Sequence, residues 1–189
     1  MTTNILIAGV GGQGTILASR VLGKYALIKG LDCKMSEIHG MSQRGGSVAT
    51  HVRIGEKVYS PVVAEGDANL ILAFEKLEAA RVKHFLRKDG LLVVNDEKIL
   101  PMPCITGAAS YPEALKETIE KEVSGARFIL ATEIAKQAGN AKAANIVMLG
   151  YAAKICGLDA AALEQAIKEC VAEKFRELNV NAFRMGYAL

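Results

Sequence analysis

The sequence predicts an α/β fold with a doubly wound, mostly parallel sheet, an antiparallel hairpin insert and a helical C-terminal part. Three observations predict it. Short apolar runs alternate with helical patterns over roughly the first 130 residues. The first apolar run enters a glycine cluster from which a helical pattern leaves, and the chain beyond Thr132 is almost entirely helical in pattern. Such alternation is typical of a parallel sheet covered by helices on both faces.

Bulk properties limit the classes of function. The 189 residues are 51% apolar and contain no repeat or linker, so we expect a single domain over residues 1–189. The net charge of +3 is too small for a dedicated nucleic-acid binder, and no apolar stretch is long enough to span a membrane. The polar N-terminus lacks the pattern of a signal peptide, which favours a cytoplasmic location.

The cysteines predict no metal centre on this chain. They stand at Cys33, Cys104, Cys156 and Cys170, and no two have the spacing of zinc or iron–sulfur ligands. We therefore expect four reduced thiols and no cluster held by this chain alone.

The first elements form a βαβ unit of the Rossmann-like kind. Residues 4–9 read as a buried strand, residues 14–29 as a helix ended by Gly30, and residues 32–38 as a second strand. Such units are almost always right-handed crossovers between parallel strands.

An antiparallel hairpin is predicted next. Residues 47–54 alternate with period two, so that Val48, Thr50, Val52 and Ile54 share one face and Ala49, His51 and Arg53 share the other. Gly55-Glu56 has the composition of a two-residue turn, and residues 57–63 are predicted to return as the partner strand, with Pro61 at an edge.

The remaining elements follow from the same patterns. Further strands are expected at residues 69–74, 90–95 and 127–131, and residues 96–111 are expected to be a loop. Helices are expected at residues 76–87, from Pro112 to about 123, and at 132–138, 141–156, 160–173 and on to 187.

The glycine cluster after the first strand is the first candidate site. Gly9, Gly11 and Gly14 fit G-x-G-x-x-G, with Gly12 and Gln13 between them, and such a turn holds a phosphate at a helix N-terminus. Two alternatives stay open: a tight turn that binds nothing, and a dinucleotide site in which Glu37 holds a ribose.

The loop His39-Gly-Met-Ser-Gln-Arg-Gly-Gly46 is the second candidate site, since it follows the carboxyl end of a strand. The guanidinium of Arg44 could bind a carboxylate or phosphate in bidentate fashion. His39 could donate a hydrogen bond or transfer a proton. Gly45 and Gly46 allow close backbone approach. We take Arg44, His39 and Gln43 as catalytic candidates, with a polar surface loop as the alternative.

For three further residues, a structural role is an alternative to a functional one. His51 and Arg53 either extend the loop cluster or lie on a solvated face of the sheet. Asn145 stands within a predicted helix, and a hydrogen bond between helices is favoured over a ligand contact. The chain has no Ser/His/Asp elbow, no H-E-x-x-H and no Walker motif, which indicates a partial active site completed by another chain.

These motifs resemble a known family. Gly9-Val-Gly-Gly-Gln-Gly14, His39-Gly-Met-Ser-Gln-Arg-Gly-Gly46, His51-Val-Arg53 and Asn145-Ile-Val-Met-Leu-Gly150 are similar to those of the small, gamma-type subunits of 2-oxoacid:ferredoxin oxidoreductases. Relatives acting on pyruvate or 2-oxoglutarate usually carry Tyr-Gly-Pro-Glu-x-Arg-Gly-Gly in the second motif. The version here favours the indolepyruvate, or arylpyruvate, branch.

The resemblance implies a role within a complex. A larger alpha subunit would carry thiamine diphosphate and 4Fe-4S clusters, coenzyme A would take the acyl group, and ferredoxin would take the electrons. The reaction would convert an arylpyruvate to an aryl-acetyl-CoA. Arg44 and its loop would face the thiamine and substrate region. A phosphate-bearing ligand such as coenzyme A would be bound by the glycine positions and the glutamine between them, which are Gly9, Gly11, Gly12, Gln13, Gly14, Gly45 and Gly46. The isolated chain would be inactive. A stand-alone NAD- or FAD-binding oxidoreductase and a non-enzymatic nucleotide-binding module are the alternatives.

Overall fold

The computed structural model describes residues 2–41 and 45–189. Within them lie six strands, which are β1 Thr2–Val10, β2 Asp32–His39, β3 Ser47–Gly55, β4 Ala68–Ala73, β5 Leu86–Asn95 and β6 Ala126–Ile129. The same residues form eight α-helices, which are α1 Thr15–Ile28, α2 Lys76–Val82, α3 Met102–Ile105, α4 Leu115–Glu122, α5 Ala131–Gln137, α6 Ala144–Cys156, α7 Ala160–Cys170 and α8 Arg176–Tyr187. Short 3-10 turns precede α6 and α8 and follow α2.

The described strands form one sheet in the order β2-β3-β1-β4-β5-β6. Strands β1, β4, β5 and β6 are paired in parallel, whereas β3 pairs antiparallel with both β1 and β2. The predicted doubly wound, mostly parallel sheet is therefore confirmed. The βαβ unit differs from the predicted one in one respect: β1 and β2 run in the same direction but are not neighbours, because β3 lies between them.

Helices cover both faces of the sheet. One face packs against α1 and α5–α8 in a large apolar cluster that includes Ile7, Leu22, Val52, Met148 and Phe183. The other packs against α2 and α4 in a smaller cluster around Leu6, Ile71, Val94 and Ile119. In the described part of the chain, no helix combines the length and apolarity needed to cross a membrane.

The predicted hairpin is wrong. Gly55 stays in β3, opposite both Thr2 and Asp32, and residues 57–63 form no strand. The antiparallel partners of β3 are β1 and β2 instead. Its alternation is as predicted, because Val52 and Ile54 belong to the larger cluster while Ala49 packs against the smaller one.

Side chains explain why residues 57–63 do not pair as a strand. The imidazole Nδ1 of His51 accepts the Val63 N–H at 3.1 Å, and a carboxylate oxygen of Asp32 accepts the Val58 N–H at 2.9 Å. The guanidinium of Arg53 donates to the carbonyls of Ser60 and Val62. Backbone groups of the segment are thus satisfied without a ladder, and Pro61 has no N–H to offer one.

Three smaller boundaries also differ from prediction. Helix α2 ends at Val82, after which one 3-10 turn leads into β5 at Leu86. The loop expected at residues 96–111 contains the short helix α3. Helix α4 begins at Leu115, so Pro112 precedes it.

The His51 contact predicts a pH dependence of stability. The imidazole is 3% exposed, and burial lowers the pKa of His51 below its usual value. The neutral form is therefore favoured by folding, and the stabilisation is full above about pH 6.5 and is lost as the pH falls below that value. Protonation removes the acceptor of the Val63 N–H, which costs about 1–3 kcal/mol for a buried donor.

Urea unfolding between pH 7.5 and 5 measures this effect. We expect the free energy of unfolding to fall with pH in the wild type, and to fall less in His51→Gln. The control His84→Gln changes a half-exposed imidazole and should keep the wild-type profile. Identical profiles for the wild type and His51→Gln would disprove the role of His51.

Candidate functional site

The glycine turn, residues 9–14, lies where β1 meets α1 at the carboxyl edge of the parallel strands. Gly12 and Gly14 have φ of 108° and 83°, a region that favours glycine. Gly14 is the N-cap of α1 and makes no side-chain cap, so the first N–H groups of α1 are left for other acceptors. A Cβ on Gly12 would meet no atom within 4 Å, which shows that the turn is open on that side.

Two backbone hydrogen bonds join the glycine turn to the loop between β2 and β3. The N–H of Gly11 donates to the carbonyl of Gly46 at 2.8 Å, and the N–H of Gly45 donates to the carbonyl of Gly11 at 3.2 Å. The two candidate motifs, at residues 9–14 and 39–46, are therefore parts of one site.

The side chain of Gln13 braces the turn from within. Its Oε1 accepts the Val10 N–H at 2.7 Å, and its Nε2 donates to the Phe74 carbonyl at 2.9 Å and to Glu97 Oε2 at 3.4 Å. Because these bonds use both ends of the amide, Gln13 connects the ends of β1 and β4 with the segment after β5.

The loop between β2 and β3 is described at both of its ends. His39 ends β2, and its Nδ1 lies 2.9 Å from the Gly40 carbonyl. Gln43 and Arg44, two of the three catalytic candidates, lie outside the described residues. After the loop, the hydroxyl of Ser47 donates to a carboxylate oxygen of Glu78 in α2.

Two buried acids, Glu78 in α2 and Glu75 just before it, make hydrogen bonds to residues around the loop. Glu75, 1% exposed, accepts hydrogen bonds from the N–H groups of Leu77, Glu78 and Ile99 and from the Tyr111 hydroxyl. Glu78, 3% exposed, accepts from Ser47 and from Arg81. Burial raises the pKa of the Glu78 carboxyl, although Ser47 and Arg81 act against that shift. The acids thereby tie the loop base to the segment that follows β5.

Three cavities formed by described residues adjoin the turn and the loop. The β2 cavity, about 150 Å³, is lined by Gly11, Gly12, Thr15, Ile16, Glu37, His39 and Val48. The α6 cavity, about 190 Å³, is lined by Gly12, Gln13, Phe74, Asn95, Glu97, Ile99, Thr132, Ala141, Lys142, Ala144, Asn145 and Met148. The α3 cavity, about 270 Å³, is lined by Val10, Gly45, Gly46, Ser47, Leu77, Glu78, Arg81, Ile99, Pro101, Met102 and Pro103.

His51 and Arg53 do not extend this site. His39 lies opposite Val48 and shares its face of the sheet, whereas His51 alternates to the other face. The solvated-face alternative is also wrong for His51, which is buried against the edge of the Phe85 ring. Both side chains hold residues 57–63, as described above.

Asn145 makes the predicted contact between helices. Its Nδ2 donates to the carbonyl of Gly14, the N-cap of α1, at 3.0 Å. A Cβ on Gly14 would lie 2.4 Å from the same Nδ2, so the two positions fit each other closely. The N-terminus of α6 is thereby fixed against that of α1.

Sequence reasoning missed the polar groups at the end of β5. Glu97 Oε2 accepts from the Asn95 amide at 2.9 Å and from the Thr132 hydroxyl at 2.8 Å, in addition to Gln13. The signal was present, because Asn95-Asp-Glu97 follows a buried parallel strand and ligands of open α/β sheets bind beyond such ends.

Comparison with known proteins decides the family. A family model described as pyruvate ferredoxin/flavodoxin oxidoreductase matches residues 4–189. The chain belongs to this family. It is 40% identical to the indolepyruvate oxidoreductase subunit IorB of Archaeoglobus fulgidus, over 99% of this chain and 94% of that protein. The subunit of the same name from Pyrococcus horikoshii is also 40% identical, over 97% and 93%.

A solved structure agrees with this family. The gamma subunit of a keto/oxoacid ferredoxin oxidoreductase from Geobacter sulfurreducens matches with a TM-score of 0.73 and 26% identity, over 98% of this chain and 96% of that one. The resemblance to small subunits of 2-oxoacid:ferredoxin oxidoreductases is thus confirmed. No group of three or more His, Cys, Asp or Glu within residues 2–41 and 45–189 is placed to hold a metal ion.

The Gln13 brace predicts a loss of stability on truncation. Gln13→Ala leaves the Val10 N–H, at a buried position, without its acceptor, and we expect a cost of about 1–3 kcal/mol in the free energy of unfolding. Urea unfolding measures it. The control Gln137→Ala removes an exposed amide in α5 and should change stability by less than about 0.5 kcal/mol. Equal effects of the two substitutions would show that Gln13 does not brace the turn.

Proposed function

We propose that this chain is the small subunit of a 2-oxoacid:ferredoxin oxidoreductase that oxidatively decarboxylates indolepyruvate or other arylpyruvates to aryl-acetyl-CoA. The observation that carries the proposal is the near full-length identity of 40% to two subunits named for indolepyruvate. The loop sequence His39-Gly-Met-Ser-Gln-Arg-Gly-Gly46 supports the same branch.

The proposal assigns roles to the joined turn and loop. Arg44, with His39 and Gln43, faces the substrate and thiamine region, where the guanidinium binds the carboxylate of the 2-oxoacid. The glycine turn, with Gly45 and Gly46, holds a phosphate-bearing ligand, for which coenzyme A is the candidate. The open side of Gly12 and the uncapped start of α1 fit an anion there. The two cavities that Gly12 lines each have an acid beside a basic side chain, Glu37 with His39 in one and Glu97 with Lys142 in the other.

The remaining chemistry belongs to a partner. A larger alpha subunit holds thiamine diphosphate and the 4Fe-4S clusters, and electrons leave the complex to ferredoxin. Thiamine diphosphate supplies the carbon centre at which the 2-oxoacid is decarboxylated. This chain contributes binding and orientation, and by itself it is inactive.

An anaerobic pull-down tests the subunit role. The tagged chain, purified from its native host, should bring down a larger subunit identified by mass, together with thiamine diphosphate and the absorbance of iron–sulfur clusters. The complex should reduce a viologen dye when given indolepyruvate and coenzyme A. A chain that purifies alone and binds a dinucleotide would instead support the stand-alone oxidoreductase, and nucleotide binding without redox activity would support the accessory module.

Arg44→Ala tests the substrate contact within that complex. Loss of a charged hydrogen bond costs about 1.5–3 kcal/mol, so we expect kcat/KM for indolepyruvate to fall by roughly 10- to 150-fold. Arg44→Lys should recover only part of the loss, because an ammonium group cannot bind a carboxylate in bidentate fashion. The control Arg87→Ala changes an exposed arginine of β5 and should leave kcat/KM unchanged. Full activity of the Arg44→Ala complex would exclude the assigned contact.

A further inference from the structure

The α3 cavity is the largest of the three cavities beside the turn and the loop. Each of the three has an acid beside a basic side chain: Glu37 with His39 in the β2 cavity, Glu97 with Lys142 in the α6 cavity, and Glu78 with Arg81 in the α3 cavity. Most residues of the α3 cavity are apolar, among them Val10, Leu77, Ile99 and Met102. At about 30 Å³ per water molecule, its 270 Å³ corresponds to roughly nine waters, which is room enough for a fused bicyclic ring.

Three apolar side chains of this cavity lie outside the core. Leu77, Ile99 and Met102 belong to neither of the two apolar clusters, whereas Val10 is a buried core residue. Leu77 and Ile99 are half-buried and Met102 is 62% exposed, so the wall continues from the interior to the surface. Apolar side chains that pack in no core and face a cavity are typical of a ligand site.

The polar groups of the cavity suit a ring that carries one N–H. Glu78 already accepts hydrogen bonds from Ser47 and Arg81, one on each carboxylate oxygen. A carboxylate has about four acceptor positions, so capacity for a further donor remains. The guanidinium of Arg81 can stack on an aromatic face, and the thioether of Met102 makes favourable contacts with ring edges.

The cavity also lies beside the loop that carries the substrate contact. Gly45, Gly46 and Ser47 line it and follow Arg44 directly in sequence. An arylpyruvate joins its carboxylate to its ring through only a short carbon chain, so a ring site must be close to the group that binds the carboxylate.

From these contacts we infer that the α3 cavity binds the aromatic side chain of the 2-oxoacid substrate, with Leu77, Ile99 and Met102 as its apolar wall and Glu78 as acceptor for an indole N–H. The inference rests on the proposed function, since it places one part of the substrate at the same site. It makes this small subunit a determinant of specificity for aromatic over small 2-oxoacids.

A matched pair of substitutions on one helix tests the inference in the assembled complex. Met102 and Ile105 both lie in α3 and are both 62% exposed, but only Met102 lines the cavity. We expect Met102→Trp to fill the cavity and to lower kcat/KM for indolepyruvate by about 10- to 100-fold, while kcat/KM for pyruvate stays within about twofold. Ile105→Trp should leave both values within about twofold. Where pyruvate turns over too slowly, its inhibition constant against indolepyruvate replaces kcat/KM.

A second variant covers the case in which Met102→Trp does not assemble. Leu77→Ala removes part of the inner wall without adding bulk, and kcat/KM for indolepyruvate and phenylpyruvate should fall about tenfold with that for pyruvate unchanged. Proportional losses for all three substrates, or no loss for the aromatic ones, would overturn the inference.

Failure of the proposed function has a different signature. A wild-type complex that turns over no arylpyruvate contradicts the proposed function, and the ring site with it. A wild-type complex active on indolepyruvate whose selectivity is unchanged by both Met102→Trp and Leu77→Ala contradicts the ring site alone.

Discussion

Two backbone hydrogen bonds between Gly11 and the pair Gly45 and Gly46 determine the arrangement of the whole site. They close the glycine turn against the loop after β2, so that the phosphate-type motif and the loop form one surface. Gln13 fixes the turn to β4, and Glu78 fixes the loop base to α2. Each partner of these bonds lies at the carboxyl edge of the sheet, where open α/β folds place their ligands.

The position of β3 separates this architecture from a plain dinucleotide-binding fold. With β3 between β1 and β2, Glu37 lies two strand spacings, or about 10 Å, across the sheet from β1. An acid that holds a ribose in the common fold follows a strand adjacent to the glycine turn. The same insertion makes β2 and β3 antiparallel neighbours, so that Gly45 and Gly46, just before β3, lie at the edge occupied by the glycine turn.

Most elements could be predicted from sequence because their signals are local. The spacing of apolar residues was enough to predict β1, α1 and β3, and Gly30 was enough to predict where α1 ends. The hairpin was wrong because Gly55-Glu56 carries a local turn signal, whereas side chains of His51, Arg53 and Asp32 hold the backbone of residues 57–63. The strands that pair with β3 are β1 and β2. For the site, glycine motifs marked the turn and the loop, and Glu97 is marked by its place after a buried strand, but nothing local distinguishes Glu75 from a surface acid.

The buried acids Glu75 and Glu78 explain how a glycine-rich site can hold a defined shape. Burying Glu75 and Glu78 removes two carboxyl groups from water, which is costly unless donors surround them. Glu75 receives three backbone N–H groups and the Tyr111 hydroxyl, so its cost is offset by bonds that reach both α2 and the segment after β5. Glu78 accepts from Ser47 and Arg81, and burial raises the pKa of its carboxyl. Glu75 holds the cavity wall that includes Ile99, because it accepts the Ile99 N–H. Glu78 lines the α3 cavity, where a further hydrogen-bond donor would lower the free-energy cost of burying its carboxylate.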